Sequence, residues 1–242
     1  MIRMRYRKKM VNRRDFLKGI AGGAGAAVAG FALGSSTDLM KEVEGRTFEN
    51  LKSMVEAPPS EAYLLVDREK CAGCRSCMLA CSLVHEGKEN LSLSRIQVIE
   101  NPLAGFPDDL VQEQCRQCQY PECVAACPTG ALSVDEVNGN VRLVDEEKCI
   151  GCQRCIEACD QINNPARAAW NHEDEYSLKC DLCIDTPHWE ENGGPDGKQA
   201  CVEICPVNAI KTTDQIPVQI GQKGYKVNLR SSKWKELGFP VE

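Results

Sequence analysis

The sequence is poor in the residues and motifs that enzymes use for catalysis. It has only three histidines, and none lies in a metal-ligand or nucleophile motif, so surface or hydrogen-bonded core positions are expected for His85, His172 and His188. It also lacks a paired acid and base, a dinucleotide fingerprint, and any molybdopterin or flavin signature. We therefore predict that this polypeptide catalyses no reaction of its own.

Long apolar runs are also missing. The most apolar segment, 19–34, has sixteen residues diluted by glycine and alanine, whereas a membrane-spanning helix needs about 20. It follows Arg13 and Arg14 in a context typical of a twin-arginine export signal, which carries folded proteins. We predict a signal peptide over 1–34, a linker over 35–60 and a periplasmic location. The alternative for the apolar segment is a membrane anchor.

Positive charge is scarce outside the amino terminus. Residues 1–34 carry a net charge of +7, so the remaining residues carry −13 of the total of −6. A body this acidic argues against nucleic acid as a partner. Aromatic residues make up only 5% of the 242 residues, so something else must fill part of the core that a chain of this length can bury.

Cysteine, by contrast, is abundant and regularly spaced. Four cysteines fall within the eleven residues 149–159 at spacings of two, two and three, which is the ligand run of a cubane iron-sulfur cluster. Three cysteines of such a run hold one cluster and the fourth reaches a neighbouring cluster. All sixteen cysteines belong to four such sets: set one is Cys71, Cys74, Cys77 and Cys81; set two is Cys115, Cys118, Cys123 and Cys127; set three is Cys149, Cys152, Cys155 and Cys159; set four is Cys180, Cys183, Cys201 and Cys205.

Four complete sets predict four 4Fe-4S clusters, on whose metal the folding of the chain should depend. A disulfide framework is one alternative, but such frameworks usually belong to short chains, and they do not explain one recurring spacing. Structural zinc is the other, but zinc sites usually take two ligands from each of two separated knuckles. We therefore favour the clusters, which would also replace much of the aromatic packing.

The sets are arranged in an internal duplication. Residues 65–74 match 143–152, and residues 123–132 match 201–210, both at an offset of 78. Sets one and two therefore recur as sets three and four. The halves differ most inside the sets, because Cys118 and Cys123 enclose four residues whereas Cys183 and Cys201 enclose seventeen.

The segment between sets two and three suggests how the sets combine. Residues 131–134 and 141–144 flank a turn at Asn138-Gly139, which predicts a hairpin. A strand pair between two cysteine runs is the arrangement of a bacterial two-cluster ferredoxin, so 115–159 would form an inner module. Residues 61–81 and 180–213 would form an outer module of the same domain, 61–242, with 214–242 as a tail.

This nested pairing predicts which cysteines share a cluster. The four ligand groups are Cys71, Cys74, Cys77 and Cys205; Cys180, Cys183, Cys201 and Cys81; Cys115, Cys118, Cys123 and Cys159; and Cys149, Cys152, Cys155 and Cys127. The alternative pairs set one with set two and set three with set four, in the simple order of the repeat. The same sixteen ligands are used in either case.

The cysteine sets over about 61–213 resemble the iron-sulfur subunit family of dimethyl sulfoxide reductase. The resemblance lies in the four sets, the two Cys-Pro ends and the long spacer of set four. It implies an α+β double two-cluster-ferredoxin fold. It also implies an electron-transfer subunit between a large molybdopterin-bearing catalytic subunit and a membrane quinone or cytochrome subunit. Some relatives replace one cysteine of set three by tryptophan and bind a three-iron cluster, but Cys155 and its companions are intact here.

Other functions remain open beside this one. The partner could belong to a tungsten aldehyde oxidoreductase or a hydrogenase, or the chain could be a free-standing periplasmic polyferredoxin. A third possibility is a metal-storing or structural module without redox work. As candidate docking surfaces for a partner we take 184–200 and 82–114, which depart most from the repeat.

Overall fold

Short antiparallel strand pairs hold the loops that carry the cysteine sets. The computed structural model describes residues 56–163, 166–217 and 227–238, all within one unit, Thr47–Glu242. The predicted signal peptide, with Arg13 and Arg14, and most of the predicted linker lie outside the described residues. In the described ranges, no helix is both long and apolar enough to cross a membrane.

Within those ranges the chain forms eight strands and five short helices, a mixed α/β content. The strands are β1 (Tyr63–Val66), β2 (Ile96–Glu100), β3 (Leu110–Gln114), β4 (Leu132–Asp135), β5 (Val141–Val144), β6 (Ala169–Asn171), β7 (Tyr176–Leu178) and β8 (Ile210–Thr213). The helices are α1 (Ser76–Glu86), α2 (Glu122–Ala125), α3 (Arg154–Asn163), α4 (Ala200–Glu203) and α5 (Ser232–Glu236), with a 3-10 turn at Leu91–Leu93.

Both halves of the chain have the same order of elements. The first half runs through β1, set one, the β2–β3 hairpin, set two and β4. The second half runs through β5, set three, the β6–β7 hairpin, set four and β8. The duplication inferred from the sequence is therefore confirmed in the order of the strands.

The predicted hairpin between sets two and three is confirmed. β4 and β5 pair antiparallel, with Leu132 opposite Val144. The turn between them has positive φ at Gly139 and Asn140, which are residue types that adopt the left-handed conformation readily. This strand pair joins set two to set three over a very short stretch of chain.

The outer ends of the two halves close on each other. β1 and β8 pair antiparallel with Val66 opposite Ile210, in the register that β4 and β5 have at an offset of 78. A backbone hydrogen bond from Asp67 to the carbonyl of Ala209 (2.9 Å) extends the ladder by one residue. The first strand of one half therefore pairs with the last strand of the other half, and this pairing brings sets one and four together.

An aspartate turn leads from the strand into the cysteine loop in both halves. Asp67 Oδ1 accepts hydrogen bonds from the backbone N–H groups of Glu69 (3.1 Å) and Lys70 (3.2 Å). Asp145 Oδ1 accepts the same two bonds from the residues two and three positions further on (3.0 and 3.3 Å). The sequence repeat at these positions therefore encodes the same turn twice.

The end of the predicted linker packs on the inner strand pair. Ala57 is buried, and its N–H donates to the carbonyl of Gln119 (2.9 Å). The carbonyl of Pro58 accepts a hydrogen bond from the buried guanidinium of Arg142 (2.9 Å). Residues 57–60 are thus part of the folded body.

Part of the predicted tail packs on the turn before set one. The N–H of Leu229 donates to Asp67 Oδ2 (2.8 Å), and the carbonyl of Leu229 accepts from Lys70 Nζ (2.8 Å). Arg230 forms ion pairs with Asp67 and Glu69. The tail therefore covers the Asp67 turn, whereas the equivalent turn that begins at Asp145 is exposed to solvent.

The largest hydrophobic core of the described residues is built largely from cysteines and aliphatic side chains. It includes Leu64, Ile96 and Val141, and five of its fourteen buried members are cysteines. None of those fourteen is aromatic. The low aromatic content noted in the sequence is thus matched by a core that is centred on the cysteine sets.

Candidate iron-sulfur centres

The first two cysteines of every set lie on a loop with one shared backbone feature. The residue just before the second cysteine has positive φ in each case: 65° at Gly73, 49° at Gln117, 71° at Gly151 and 57° at Leu182. Glycine adopts this left-handed conformation freely, whereas another residue there costs about 1–3 kcal/mol. Such strain persists only where the surroundings hold the backbone, and it is common at functional sites.

The sixteen cysteines come together in four groups of four. Groups B and D each line a cavity: group B is Cys81, Cys180, Cys183 and Cys201, and group D is Cys127, Cys149, Cys152 and Cys155. Electrostatic interactions among their thiols connect the members of the other two groups: group A is Cys71, Cys74, Cys77 and Cys205, and group C is Cys115, Cys118, Cys123 and Cys159.

Each group takes three cysteines from one set and the fourth from another. Sets one and four exchange Cys81 and Cys205, and sets two and three exchange Cys127 and Cys159. The grouping is therefore the nested one and not the sequential one. Its cause is the strand pairing, since β1 with β8 and β4 with β5 place the exchanging sets side by side.

The exchanged cysteine of every group accepts a backbone hydrogen bond. The N···S distances are 3.2–3.3 Å, and the pairs are Arg95 N with Cys81, Leu132 N with Cys127, Arg167 N with Cys159, and Ala209 N with Cys205. Hydrogen bonds to the ligand sulfurs are a recurring feature of iron-sulfur sites and help to set their reduction potentials. These bonds therefore suit the four cysteines to ligation.

Burial makes several other thiols harder to ionise. It raises the pKa of Cys77 and Cys183 to about 12, and that of Cys118 to about 11, with neighbouring thiolates or Asp181 adding to the effect. Metal ligands must be deprotonated, so a positively charged iron core is the natural counterpart of four such thiols. The residues of groups A to D therefore fit 4Fe-4S clusters.

The described cysteines form neither disulfides nor single-ion sites. All sixteen lie in the described ranges, and all sixteen are free thiols. In the same ranges, no three or more His, Cys, Asp or Glu side chains are close enough together to hold one metal ion. A 4Fe-4S cube lies between its thiolates and keeps them further apart than a single ion does.

Exposure to solvent differs systematically among the groups. Cys74 of group A and Cys152 of group D are exposed. All four cysteines of group B are buried, as are three of group C, where only Cys118 is partly accessible. Two groups therefore reach the surface and two lie inside.

The groups also have a definite order in space. Electrostatic interactions between cysteines of different groups connect A with B, B with C, and C with D. The pairs are Cys77 with Cys201, Cys180 with Cys115, and Cys123 with Cys155. The resulting order, A–B–C–D, has the two surface groups at its ends.

His85 lies beside group B, a role that the sequence analysis missed. It is buried, with Nε2 3.0 Å from Asp181 Oδ1 and Nδ1 2.7 Å from the carbonyl oxygen of Cys81. Burial disfavours the charged imidazole, but the hydrogen bonds with Asp181 and Cys81 raise the pKa of His85 to about 10. The expected hydrogen-bonded core position is confirmed. The available signal was its place four residues after Cys81 on α1, since residues so spaced share a helix face.

Lys179 is a second residue that the sequence analysis missed. Its side chain is buried, its Nζ lies 3.4 Å from Cys123 Sγ, and it also hydrogen-bonds Cys115. Burial disfavours the cation, but the charges of the group C thiols raise the pKa of Lys179 well above its ordinary value. It directly precedes Cys180 of group B but contacts group C, which no local pattern reveals.

The long spacer of set four forms a wall of group B. The N–H of Gly194 donates to the carbonyl of Leu182 (2.8 Å), and a Cβ added to Gly193 would lie 1.7 Å from the carbonyl oxygen of Cys183. The spacer therefore packs against the cysteine loop instead of projecting from it. Of the two docking surfaces suggested by the sequence, 184–200 is thus also needed for the shape of group B.

The other suggested surface, 82–114, is exposed mainly in the loop between β2 and β3. Leu103 and Phe106 are 96% and 62% exposed there. The adjoining Leu110 packs on Gly73 of the group A loop, with its methyl carbons 3.2 Å from where a Cβ would be. This loop therefore flanks the group A end of the series.

Two family models match the chain, and together they include all four cysteine sets. Residues 108–215 match a 4Fe-4S dicluster domain, and residues 68–84 match a 4Fe-4S binding domain. The aliphatic sulfonate oxidoreductase, polyferredoxin-like subunit of Pyrococcus furiosus is 40% identical over 153 residues, which are 63% of this chain and 76% of that protein. The thiosulfate reductase electron transfer subunit PhsB of Salmonella typhi is 34% identical over 174 residues, 68% of this chain and 83% of that protein.

Among solved structures, the active site complex BamBC of benzoyl coenzyme A reductase shows a weak likeness. It is 21% identical and covers 63% of this chain and 76% of its own, with a TM-score of 0.32. The match to the dicluster domain agrees with the grouping of the cysteines, and the chain spans 76% and 83% of the two relatives. The chain therefore belongs to the family of ferredoxin-like 4Fe-4S dicluster proteins that serve as iron-sulfur electron-transfer subunits.

Proposed function

We propose that the chain binds four 4Fe-4S clusters, one in each of groups A to D, and conducts single electrons between two other proteins. The observation that carries this proposal is the spatial order of an exposed, two buried and an exposed group. Electron tunnelling weakens steeply with distance, so the ends of a relay must approach their partners while the middle centres need only their neighbours. A metal-storing or structural module would not require exposed groups at the two ends and buried groups between them.

The proposed architecture is a double two-cluster ferredoxin. Groups A and B with β1 and β8 would make one module, and groups C and D with β4 and β5 would make the other. The equal registers of the two strand pairs and the exchange of one cysteine between the sets of each module support this. The two modules would then form one continuous path.

The proposed partners are a large molybdopterin- or tungstopterin-bearing catalytic subunit and a membrane quinone-reactive or cytochrome subunit. The names of both relatives describe subunits of oxidoreductases, which supports a role inside a complex. Each end also carries exposed apolar side chains suited to docking, with Leu103 and Phe106 beside group A and Ile150, 66% exposed, next to group D. A hydrogenase or an aldehyde oxidoreductase would use the same two ends.

The proposed location is periplasmic, by export of the folded and cluster-loaded chain. Arg13 and Arg14 with the weakly apolar run after them support this. Replacing both arginines by lysine should leave loaded protein in the cytoplasm. Normal periplasmic amounts of the double variant would refute a signal of this type in the chain.

Cofactor content tests the four-cluster proposal directly. Four cubanes require about 16 iron atoms and as many acid-labile sulfides per chain. Anaerobic purification followed by iron and sulfide analysis should give these values. About half of them, or zinc in stoichiometric amount, would contradict the proposal.

Charged substitutions at the two ends test the role as a conductor in a complex. Ile150→Asp and Leu103→Asp should each release a different partner from the purified complex while iron content stays unchanged, because both side chains are exposed. Val137→Asp is the matched control, since Val137 is 92% exposed but lies in the turn between β4 and β5. Purification of the wild-type chain without a large subunit would favour a free-standing polyferredoxin instead, and unaltered partner binding in both end variants would contradict the two proposed docking ends.

A further inference from the structure

Groups B and C are equivalent under the internal duplication, so their surroundings can be compared position by position. Lys179 precedes the first cysteine of set four, and Gln114 precedes the first cysteine of set two. Arg142 on β5 corresponds to Leu64 on β1 at the offset of 78. At both positions one half has a cation and the other half has a neutral residue.

Both cations lie beside group C. Lys179 Nζ is 3.4 Å from Cys123 Sγ. Arg142 is fully buried, donates to the carbonyl of Cys118 (2.7 Å), and interacts electrostatically with the thiols of group C. In the contacts of the described residues, the hydrogen bonds of these two cations go to sulfur and to backbone carbonyls, and no carboxylate offsets them at short range.

The equivalent residues, Leu64 and Gln114, are neutral. Leu64 lines the cavity of group B, and Gln114 donates from its side-chain amide to the carbonyl of Leu64 (3.4 Å). The charged side chains at that cavity are paired with groups of opposite charge, and the first such pair is Asp181 with His85. The cation of Arg95 is likewise matched by the carboxylate of Glu86, 3.0 Å away.

We propose that Lys179, with Arg142, makes the cluster of group C easier to reduce than the cluster of group B. Reduction adds one electron, and hence one negative charge, without making or breaking a bond; the electron comes from a neighbouring centre and passes on to the next. A cation in a buried, low-dielectric site stabilises the added charge more than it would in water. Electrons in the relay therefore reside on group C in preference to group B. This inference rests on the proposed function.

Lys179→Gln tests the proposal, because it places at group C the residue type that the duplication has at group B. In an anaerobic redox titration followed by electron paramagnetic resonance, one of the cluster midpoints should fall by at least a tenfold change in the reduction equilibrium, which is about 59 mV for one electron. Lys179→Arg should restore the midpoint because it keeps the charge. Lys88→Gln removes the same charge from an exposed ion pair with Glu173 and should leave all midpoints unchanged.

The reciprocal variant, Gln114→Lys, should raise a different midpoint by introducing a cation next to Leu64, which lines group B. Iron analysis of each variant separates this inference from the proposed function. A wild-type protein without four clusters overturns the relay itself, whereas full iron with unshifted midpoints in Lys179→Gln overturns only the inference. Loss of one cluster in Lys179→Gln but not in Lys179→Arg would also overturn it, because Lys179 would then serve assembly and not the potential.

Discussion

The inner and outer strand pairs have the same register but are closed by very different stretches of chain. β4 and β5 are joined by a short turn, whereas Val66 and its partner Ile210 are 144 residues apart. The entropy of closing a loop grows only slowly with its length, so both pairs can be stable. Long-range pairing nevertheless forms late in folding. The comparison therefore predicts that the outer pair, with groups A and B, depends on the inner pair and not the reverse.

Removal of β8 should have the largest effect on the outer strand pair. A chain ending at Asn208 loses the partner of β1 and the N–H of Ala209 that donates to Cys205 (3.2 Å). Groups A and B should then fail to hold clusters, so iron should fall from about 16 to about 8 atoms per chain. A chain ending at Asp214 keeps β8 and is the control. Full iron content in the shorter chain would show that the outer strand pair is dispensable.

The two aspartate turns provide a second, smaller contrast. Asp67 is buried and also accepts from Leu229, whereas Asp145 is partly exposed and pairs with Lys148 (2.7 Å). Asp67→Ala should lower the free energy of unfolding by about 1–3 kcal/mol, because it leaves three partly buried backbone donors without their charged acceptor. Asp145→Ala should have the smaller effect, since water replaces its bonds. Anaerobic thermal unfolding of both variants measures the difference, and equal losses would contradict it.

The two terminal glycine loops provide the smallest contrast. Gly73 and Gly151 both have positive φ, so alanine costs about 1–2 kcal/mol at either position. A Cβ at Gly151 would also lie 2.9 Å from the backbone carbonyl of Glu175, whereas at Gly73 it meets only the flexible end of Leu110. Gly151→Ala should therefore be less stable than Gly73→Ala by on the order of 1 kcal/mol. The unfolding midpoints of the two variants test this, and the reverse ranking would refute it.

The sequence predicted most of what is local in this fold. The hairpin between β4 and β5 is confirmed, because it depends on residues that are neighbours in the chain, and the duplication is confirmed in the order of the strands. The left-handed conformation before the second cysteine can be predicted at Gly73 and Gly151, because glycine favours it. At Gln117 and Leu182 the residue type gives no such indication. There the conformation is set by contacts such as the hydrogen bond from Gln117 to the carbonyl of Cys180 (3.0 Å).

By itself, the amino-acid sequence determined the four cysteine sets and hence the kind of cofactor, because a ligand run is defined by spacing along the chain. Only the tertiary structure decided between nested and sequential grouping, since that choice depends on whether β1 pairs with β8. It also decided which groups reach the surface, and that Lys179, which directly precedes set four, lies beside group C. Burial and electrostatic contact are sums over neighbours that are distant in sequence, so spacing alone does not contain them.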